Sequence, residues 1–392
     1  MTDFDDIIAR RDTDSLKYDF AARRGMPEGL LPLWVADMDF RTPPCVVEAL
    51  VEKSRHGIFG YSESREAYFD VLQGWFARRF NWQIQREWLV KTPGVVFAIC
   101  TAIRALTNEG DAVLIQQPVY YPFTESVRAN KRKLIVSELR YDGGGYTMDF
   151  EDFEQRIIKH GVKLFVFCSP HNPVGRVWTR GELIRMGEIC AKHGVLVVSD
   201  EIHADFVYPG VAHPIFADLK PEFADISVTC TAPTKTFNLA GLQISNIFVS
   251  NRSVRNRIRQ EIARCGYSQL NIMGLVACKA AYAQGEEWLE ELKAYLTGNL
   301  AFLREYLQAH IPQIRLVEPQ GTYLVWLDCK ALGLGDKALD EFIVHRAKLW
   351  LDGGTMFGQG GSGFQRVNIA CPRSILKQAL EQLEQAVKSN SF

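Results

Sequence analysis

The chain has 392 residues, of which 47% are hydrophobic and 23% charged, the make-up of an ordinary globular protein long enough for two domains. Its net charge of −1 excludes a strong overall field for nucleic acid or an anionic membrane. No uncharged apolar stretch is long enough to span a bilayer, and the acidic start Met1-Thr-Asp-Phe-Asp-Asp lacks a secretory core, so a cytoplasmic protein is expected.

Nine cysteines include no C-x-x-C pair and no zinc-like spacing with histidine. Cys100, Cys168, Cys190 and Cys230 lie inside apolar runs, so reduced core thiols are expected and no metal site.

From about Thr92 to Ser250 short apolar runs alternate with longer amphipathic stretches, which predicts an α/β unit with a mainly parallel sheet and helices on both faces. In chain order the helices are Val95 to Leu106, Phe150 to Lys159 and Thr179 to Lys192; the last opens with Thr179 and, three residues on, Glu182, a capping box. The strands are Ala112 to Gln116, Lys163 to Cys168, Val195 to Ser199, Ile226 to Cys230 and Ile244 to Ser250, and Asp142-Gly-Gly-Gly-Tyr146 is a turn between two further strands. Beyond Gly285, helical patterns at Glu286 to Leu307, Ala338 to Leu349 and Ser374 to Lys388 flank a strand-like Thr322 to Leu327, predicting a smaller α+β domain.

Open α/β sheets bind ligands at the carboxyl ends of their strands, so the polar residues there are the candidates. Lys235, in Thr231-Ala-Pro-Thr-Lys-Thr-Phe-Asn238, follows an apolar run and stands among hydroxyls, where a lysine could form a Schiff base with an aldehyde cofactor. It could equally be a solvated loop charge. Asp200 ends Val195-Leu-Val-Val-Ser and suits a protonated pyridine nitrogen, or caps the next element. Asn172, between Pro170 and Pro173, could donate its amide to a ring oxygen, or belong to a simple turn. Gly94 opens the helix at Val95 and Val96, whose free N–H groups suit a phosphate, although such glycines are common. Tyr120 in Gln117-Pro-Val-Tyr-Tyr could stack on a planar ring or merely pack.

Their order, glycine-helix, P-x-Tyr, N-P-x-G, D-E-x-H and then lysine, resembles the large domain of fold-type I pyridoxal phosphate enzymes. Further segments narrow the match: Leu33-Trp-Val-Ala-Asp-Met-Asp-Phe40, Phe59-Gly-Tyr61, Gly321-Thr-Tyr-Leu-Val-Trp326 and Gly363-Phe-Gln-Arg366-Val-Asn-Ile-Ala-Cys-Pro-Arg373. The chain resembles, nearly end to end, the cystalysin and MalY/PatB-type cystathionine β-lyases of the aminotransferase class I/II superfamily.

That resemblance implies a large domain (46–285) with a seven-stranded-type, mainly parallel sheet, a small domain (286–392), and an N-terminal segment (1–45) packed by the small domain and the site entrance. It implies pyridoxal 5′-phosphate on Lys235, with Asp200 at the ring nitrogen, Asn172 and His203 at the ring oxygen and Tyr120 on the ring face. The phosphate is expected at Val95, Val96, Thr234 and Tyr61 of a second subunit, in a homodimer that shares its active sites. Gln243 stands where many relatives carry a phosphate-binding arginine, so amides and hydroxyls are expected to do more of that work. Arg366 is expected to clamp the α-carboxylate of an amino acid, delivered by a flexible glycine-rich loop (352–364). Trp34, Ala36 and Asp37 are expected to line the substrate entrance. The implied reaction is α,β-elimination on cystathionine, cystine or another cysteine S-conjugate. An aminotransferase would use the same residues, and a regulatory protein restraining a transcriptional activator is a third reading.

Overall fold

A computed structural model describes residues 2–389; Met1 and residues 390–392, the outer ends of the expected N-terminal segment and small domain, lie outside the described residues. Seven strands form the main sheet: β1 (Leu89–Thr92), β2 (Ala112–Gln117), β3 (Lys133–Glu138), β4 (Leu164–Cys168), β5 (Leu196–Asp200), β6 (Ser227–Thr231) and β7 (Ser245–Phe248), in the order β1-β7-β6-β5-β4-β2-β3. β7 runs antiparallel to both its neighbours and every other pair is parallel. All residues of β4 and β6 are buried, as strands covered on both faces must be. β3, at the edge, keeps Lys133 and Glu138 exposed.

Register levels the strand ends. Cys168 pairs with Asp200, and Asp200 with Cys230, so the segments after β4, β5 and β6 leave the sheet side by side. The helix Val95–Leu106 starts at Gly94 and buries seven residues against the sheet. The predicted capping box opens Arg180–Lys192: Thr179 Oγ1 accepts the Glu182 N–H at 3.2 Å and Glu182 Oε2 the Thr179 N–H at 2.8 Å. Asp142 turns the hairpin between Arg140–Tyr141 and Tyr146–Thr147, its Oδ1 accepting the Gly144 and Gly145 N–H groups.

A second, antiparallel sheet holds β8 (Arg315–Val317), β9 (Leu324–Asp328), β10 (Asp352–Gly353) and β11 (Phe364–Asn368), in the order β8-β9-β11-β10. Helices Glu286–His310 and Arg373–Lys388 share its core through Leu292, Leu300, Leu380 and Leu383. The expected helix from Ala338 to Leu349 stops early. An α-helical Asp336–Glu341 passes into a π-turn at Phe342–Arg346, Lys348 takes a positive φ of 56°, and Leu349–Trp350 pairs in parallel with Leu31–Pro32. The run Leu349-Trp350-Leu351 is continuously apolar, which suits a buried strand better than a helix with one wet face.

The glycine-rich stretch before Arg366 is compact rather than a flexible loop. It folds into two short turns, Gly354–Phe357 and Gln359–Gly361, in which the backbones of Gly354 and Gly361 approach so closely that a Cβ on either would clash with the other. No helix among the described residues is long and apolar enough to cross a membrane. All nine cysteines are free; Cys168, Cys190 and Cys230 are buried and Cys100 is half-buried.

Candidate active site

The level strand ends bring six predicted residues to one edge of the main sheet. Asp200 is the last residue of β5, Asn172 follows β4, Tyr120 follows β2, Val95 and Val96 open the helix after β1, and Lys235 lies on the short helix Pro233–Thr236 after β6. The Tyr120 N–H donates to the Asn172 carbonyl at 3.0 Å, which ties two of these loops together. Thr234 is buried beside Lys235, and His203 is buried three residues beyond Asp200.

Arg366 reaches the same place from the second sheet. It lies on β11 between Trp326 and Asp352 and is only 2% exposed. Its guanidinium donates to Asn172 Oδ1 at 3.1 Å and to the Trp34 carbonyl at 2.8 Å, pairs with Asp352, and lies 4.9 Å over the Phe357 ring. Asn172 thus accepts from Arg366 through its oxygen and keeps its amide hydrogens to donate.

The N-terminal segment completes the enclosure. Lys235 Nζ donates to the Ala36 carbonyl at 2.9 Å, and so does the buried Tyr323 hydroxyl, also at 2.9 Å. Asp37 pairs with Arg10 at 2.6 Å, and Asn368 donates to the Val35 and Asp37 carbonyls at 2.7 and 2.6 Å. Trp34 presents its carbonyl to Arg366, while its ring stacks 4.4 Å from that of Trp350. A cavity of about 590 Å³ opens here, lined by Lys235, Asp37, Arg10, Met38 and Asn238.

Electrostatics separate the groups by role. Burial pushes the Lys235 amine down to about 8, Arg366 adding to the effect while Asp37 and Asp200 oppose it. Burial pushes Asp200 up to about 7, and among protein groups one backbone N–H, that of Ile202, bonds its side chain. His203 is driven down to about 3 by burial and by Lys235 and Arg366, so it is neutral. Burial also raises the Tyr120 phenol.

Tyr61 stands apart. It is 99% exposed, in the segment between helices Pro44–His56 and Glu66–Phe80, and with Phe59, Gly266 and Asn271 lines an open cavity of about 690 Å³. Gln243 is exposed in a left-handed conformation. Tyr323, Asp352, Asn368 and Arg10 were not singled out from sequence. Asn368 carried a usable signal, because it stands two residues from Arg366 on one strand and therefore on the same face; Asp352 carried none.

The aminotransferase class I and II family model matches residues 28–383. The chain belongs to that family. Within it, this aminotransferase-family chain is 41% identical over 384 residues to cystathionine beta-lyase PatB of Bacillus subtilis, a match covering 98% of this chain and 99% of the relative. It is 33% identical over 392 residues to protein MalY of Escherichia coli, covering 99% and 100%. The structure of cystalysin from Treponema denticola, which contains a pyridoxal 5′-phosphate cofactor, superposes with a TM-score of 0.96 at 37% identity over 99% of each chain.

The site of this family member fits that cofactor on its own geometry. Asp200 is a buried carboxylate that pairs with no side-chain cation among the described residues, and among those residues the buried Nδ1 of His203 and Nε of Arg366 have no hydrogen-bond partner. Such groups are costly unless a ligand satisfies them. A pyridine N–H⁺ for Asp200 and an aldehyde carbon for the Lys235 amine are complementary to what is left open.

Proposed function

We propose that this protein is a pyridoxal 5′-phosphate-dependent carbon–sulfur β-lyase that eliminates thiol from L-cystathionine, L-cystine or a related cysteine S-conjugate, with pyruvate and ammonia as the other products. The observation that carries it is the convergence of a half-buried lysine with a depressed amine, Lys235, and a buried arginine, Arg366, across a buried carboxylate, Asp200, that pairs with no cation among the described residues.

Lys235 would hold the cofactor covalently through Nζ, Asp200 would meet the ring nitrogen, Asn172 and His203 the ring oxygen and Tyr120 the ring face. The N–H groups of Val95 and Val96 at a helix start and the Thr234 hydroxyl would take the phosphate. When bound, the cofactor supplies the electron sink for negative charge at the substrate Cα. Arg366 binds the substrate α-carboxylate in a charge-assisted fork worth roughly 1.5 to 3 kcal/mol. Lys235, with a value close to neutrality, removes the α-proton and holds it on Nζ. Ala36 and Asp37, with Trp34 behind them, wall the entrance and exclude water.

Tyr61 completes the phosphate site from a second copy of the chain, an assignment supported by its full exposure beside Phe59. The large and small domains are taken as 46–285 and 286–392, with 1–45 bridging them.

Incubation with cystathionine tests the activity. Pyruvate and thiol formed without added oxo acid are expected. Strict dependence on an oxo acid would replace the lyase by an aminotransferase, the reading favoured by the family match alone. Lys235→Ala is expected to abolish both turnover and covalent cofactor absorbance.

A further inference from the structure

Residues 34–38 cross the site as a strap whose backbone oxygens are held one after another by side chains. Arg366 holds the Trp34 carbonyl, Asn368 those of Val35 and Asp37, Tyr323 and Lys235 that of Ala36, and Arg10 and Asn238 that of Met38 at 3.1 and 3.0 Å. Asp37 is therefore placed by its backbone, whatever its charge.

Its carboxylate is divided. Oδ2 accepts from Arg10 Nη2 at 2.6 Å, whereas Oδ1 is enclosed and has no hydrogen-bond partner among the described residues. Arg10 also donates to Asp39, Ser15 and the Met38 carbonyl, and Asp39 is shared with the buried Lys17. Two cations lining the same cavity are bonded to the strap carbonyls that flank Asp37: Arg10 to that of Met38, and Lys235 to that of Ala36.

We propose that Asp37, oriented by Arg10, is a positioning residue for the proton carried on Lys235: it holds the protonated amine on the Ala36 carbonyl. The proposal rests on Lys235 being the group that takes the α-proton. Four kinds of group face that amine. Asp37 comes from the strap, Asp200 from the end of β5 and Arg366 from β11, with neutral His203 and Tyr323 beside them. Burial and Arg366 favour the neutral amine; Asp37, the strongest charge acting on it, favours the ammonium. Once Asp200 is committed to a ring nitrogen, and with Asp352 already paired to Arg366, Asp37 is the carboxylate that remains to favour the ammonium. An amine balanced near neutrality both accepts and returns a proton, which is what alternate capture and release at Cα demands.

The test uses the full-length chain freed of cofactor and treated with limiting acetic anhydride across a pH series. Acetylation of Lys235 is followed by peptide mass spectrometry, with Lys337, 91% exposed, as the internal reference. Asp37→Asn is expected to lower the Lys235 midpoint by about one pH unit, so that below it Lys235 acetylates roughly tenfold faster. Arg10→Met is expected to move the midpoint the other way, since the Asp37 charge is no longer shared with a guanidinium, and Arg10→Lys to restore it. Displacement of both variants in one direction, or of neither, overturns the proposal. Should Asp37→Asn lose its native circular dichroism, the Arg10 pair decides alone: no rise in Arg10→Met overturns it. Failure of the wild-type enzyme to release pyruvate from cystathionine would sink the lyase assignment and leave these labelling midpoints untouched, so the two failures are distinct.

Discussion

Lys235 and Tyr323 donate to one oxygen, the carbonyl of Ala36, each at 2.9 Å. The amine follows β6 of the main sheet and the phenol immediately precedes β9 of the second sheet, and the strap between them is the point at which the two parts of the molecule meet over the site. Tyr323→Phe removes one donor and keeps the ring that packs 4.9 Å from Phe206. Loss of a buried hydrogen bond is expected to cost about 1 kcal/mol. A urea midpoint equal to that of the wild type would show that the phenol holds nothing.

Arg366 and Asp352 form a buried pair on adjacent strands. Arg366→Met strands Asp352, whose carboxyl burial already pushes up, and is expected to destabilise the fold by roughly 3–5 kcal/mol. Arg366→Lys keeps the charge but loses the fork, so KM for cystathionine is expected to rise by about ten- to a hundredfold, with kcat changed less. Steady-state kinetics read this directly; an unchanged KM would remove Arg366 from the substrate.

Asp200 makes the stability of the cofactor-free protein depend on pH. Its folded value of about 7 lies above that of an unfolded chain, near 3.9. Between these values the folded state binds a proton that the unfolded state has lost, so stability falls as pH rises from about 4 to 7 and stays low above it. Asp200→Asn is expected to stabilise the cofactor-free protein at pH 8 by a few kcal/mol and hardly at all at pH 4. Melting curves at the two pH values check the sign. Cofactor should then raise the Tm of the wild type much more than that of the variant.

Tyr61 is fully exposed in the single chain, so Tyr61→Ala is expected to leave the stability of the chain within about 0.5 kcal/mol while weakening cofactor retention. Mixed refolding with Lys235→Ala subunits provides a sharper measurement. Half of a random mixture is heterodimer with one intact site of two, which restores roughly a quarter of wild-type activity if sites are shared. No restoration would place Tyr61 outside the partner's site.

Much of the main sheet was legible because its central strands are short, uninterrupted apolar runs between capped helices; Val95 to Leu106 was bounded correctly by Gly94 and its own periodicity. The edge strands β1 and β3 were not, since half-exposed edges mix charges such as Lys91, Lys133 and Glu138 into the pattern. In the site, residues following strand ends were visible from local chemistry. Asp352, Tyr323 and Arg10 act through contacts made across the sheet or over long sequence separations, and no local spacing encodes these. The glycines before Arg366 misled for the same reason: their partner is another backbone rather than solvent.

The pairing of Leu31–Pro32 with Leu349–Trp350, continued by Leu33 with Asn368 and Asp39 with Ala370, joins residues 31–39 to residues 349–370. During synthesis Lys235 and its strand emerge long before the residues that hold the strap over them. A ribosome-bound chain can therefore assemble the main sheet early, yet closure of the chamber around the amine awaits the strand that carries Arg366 and Asn368.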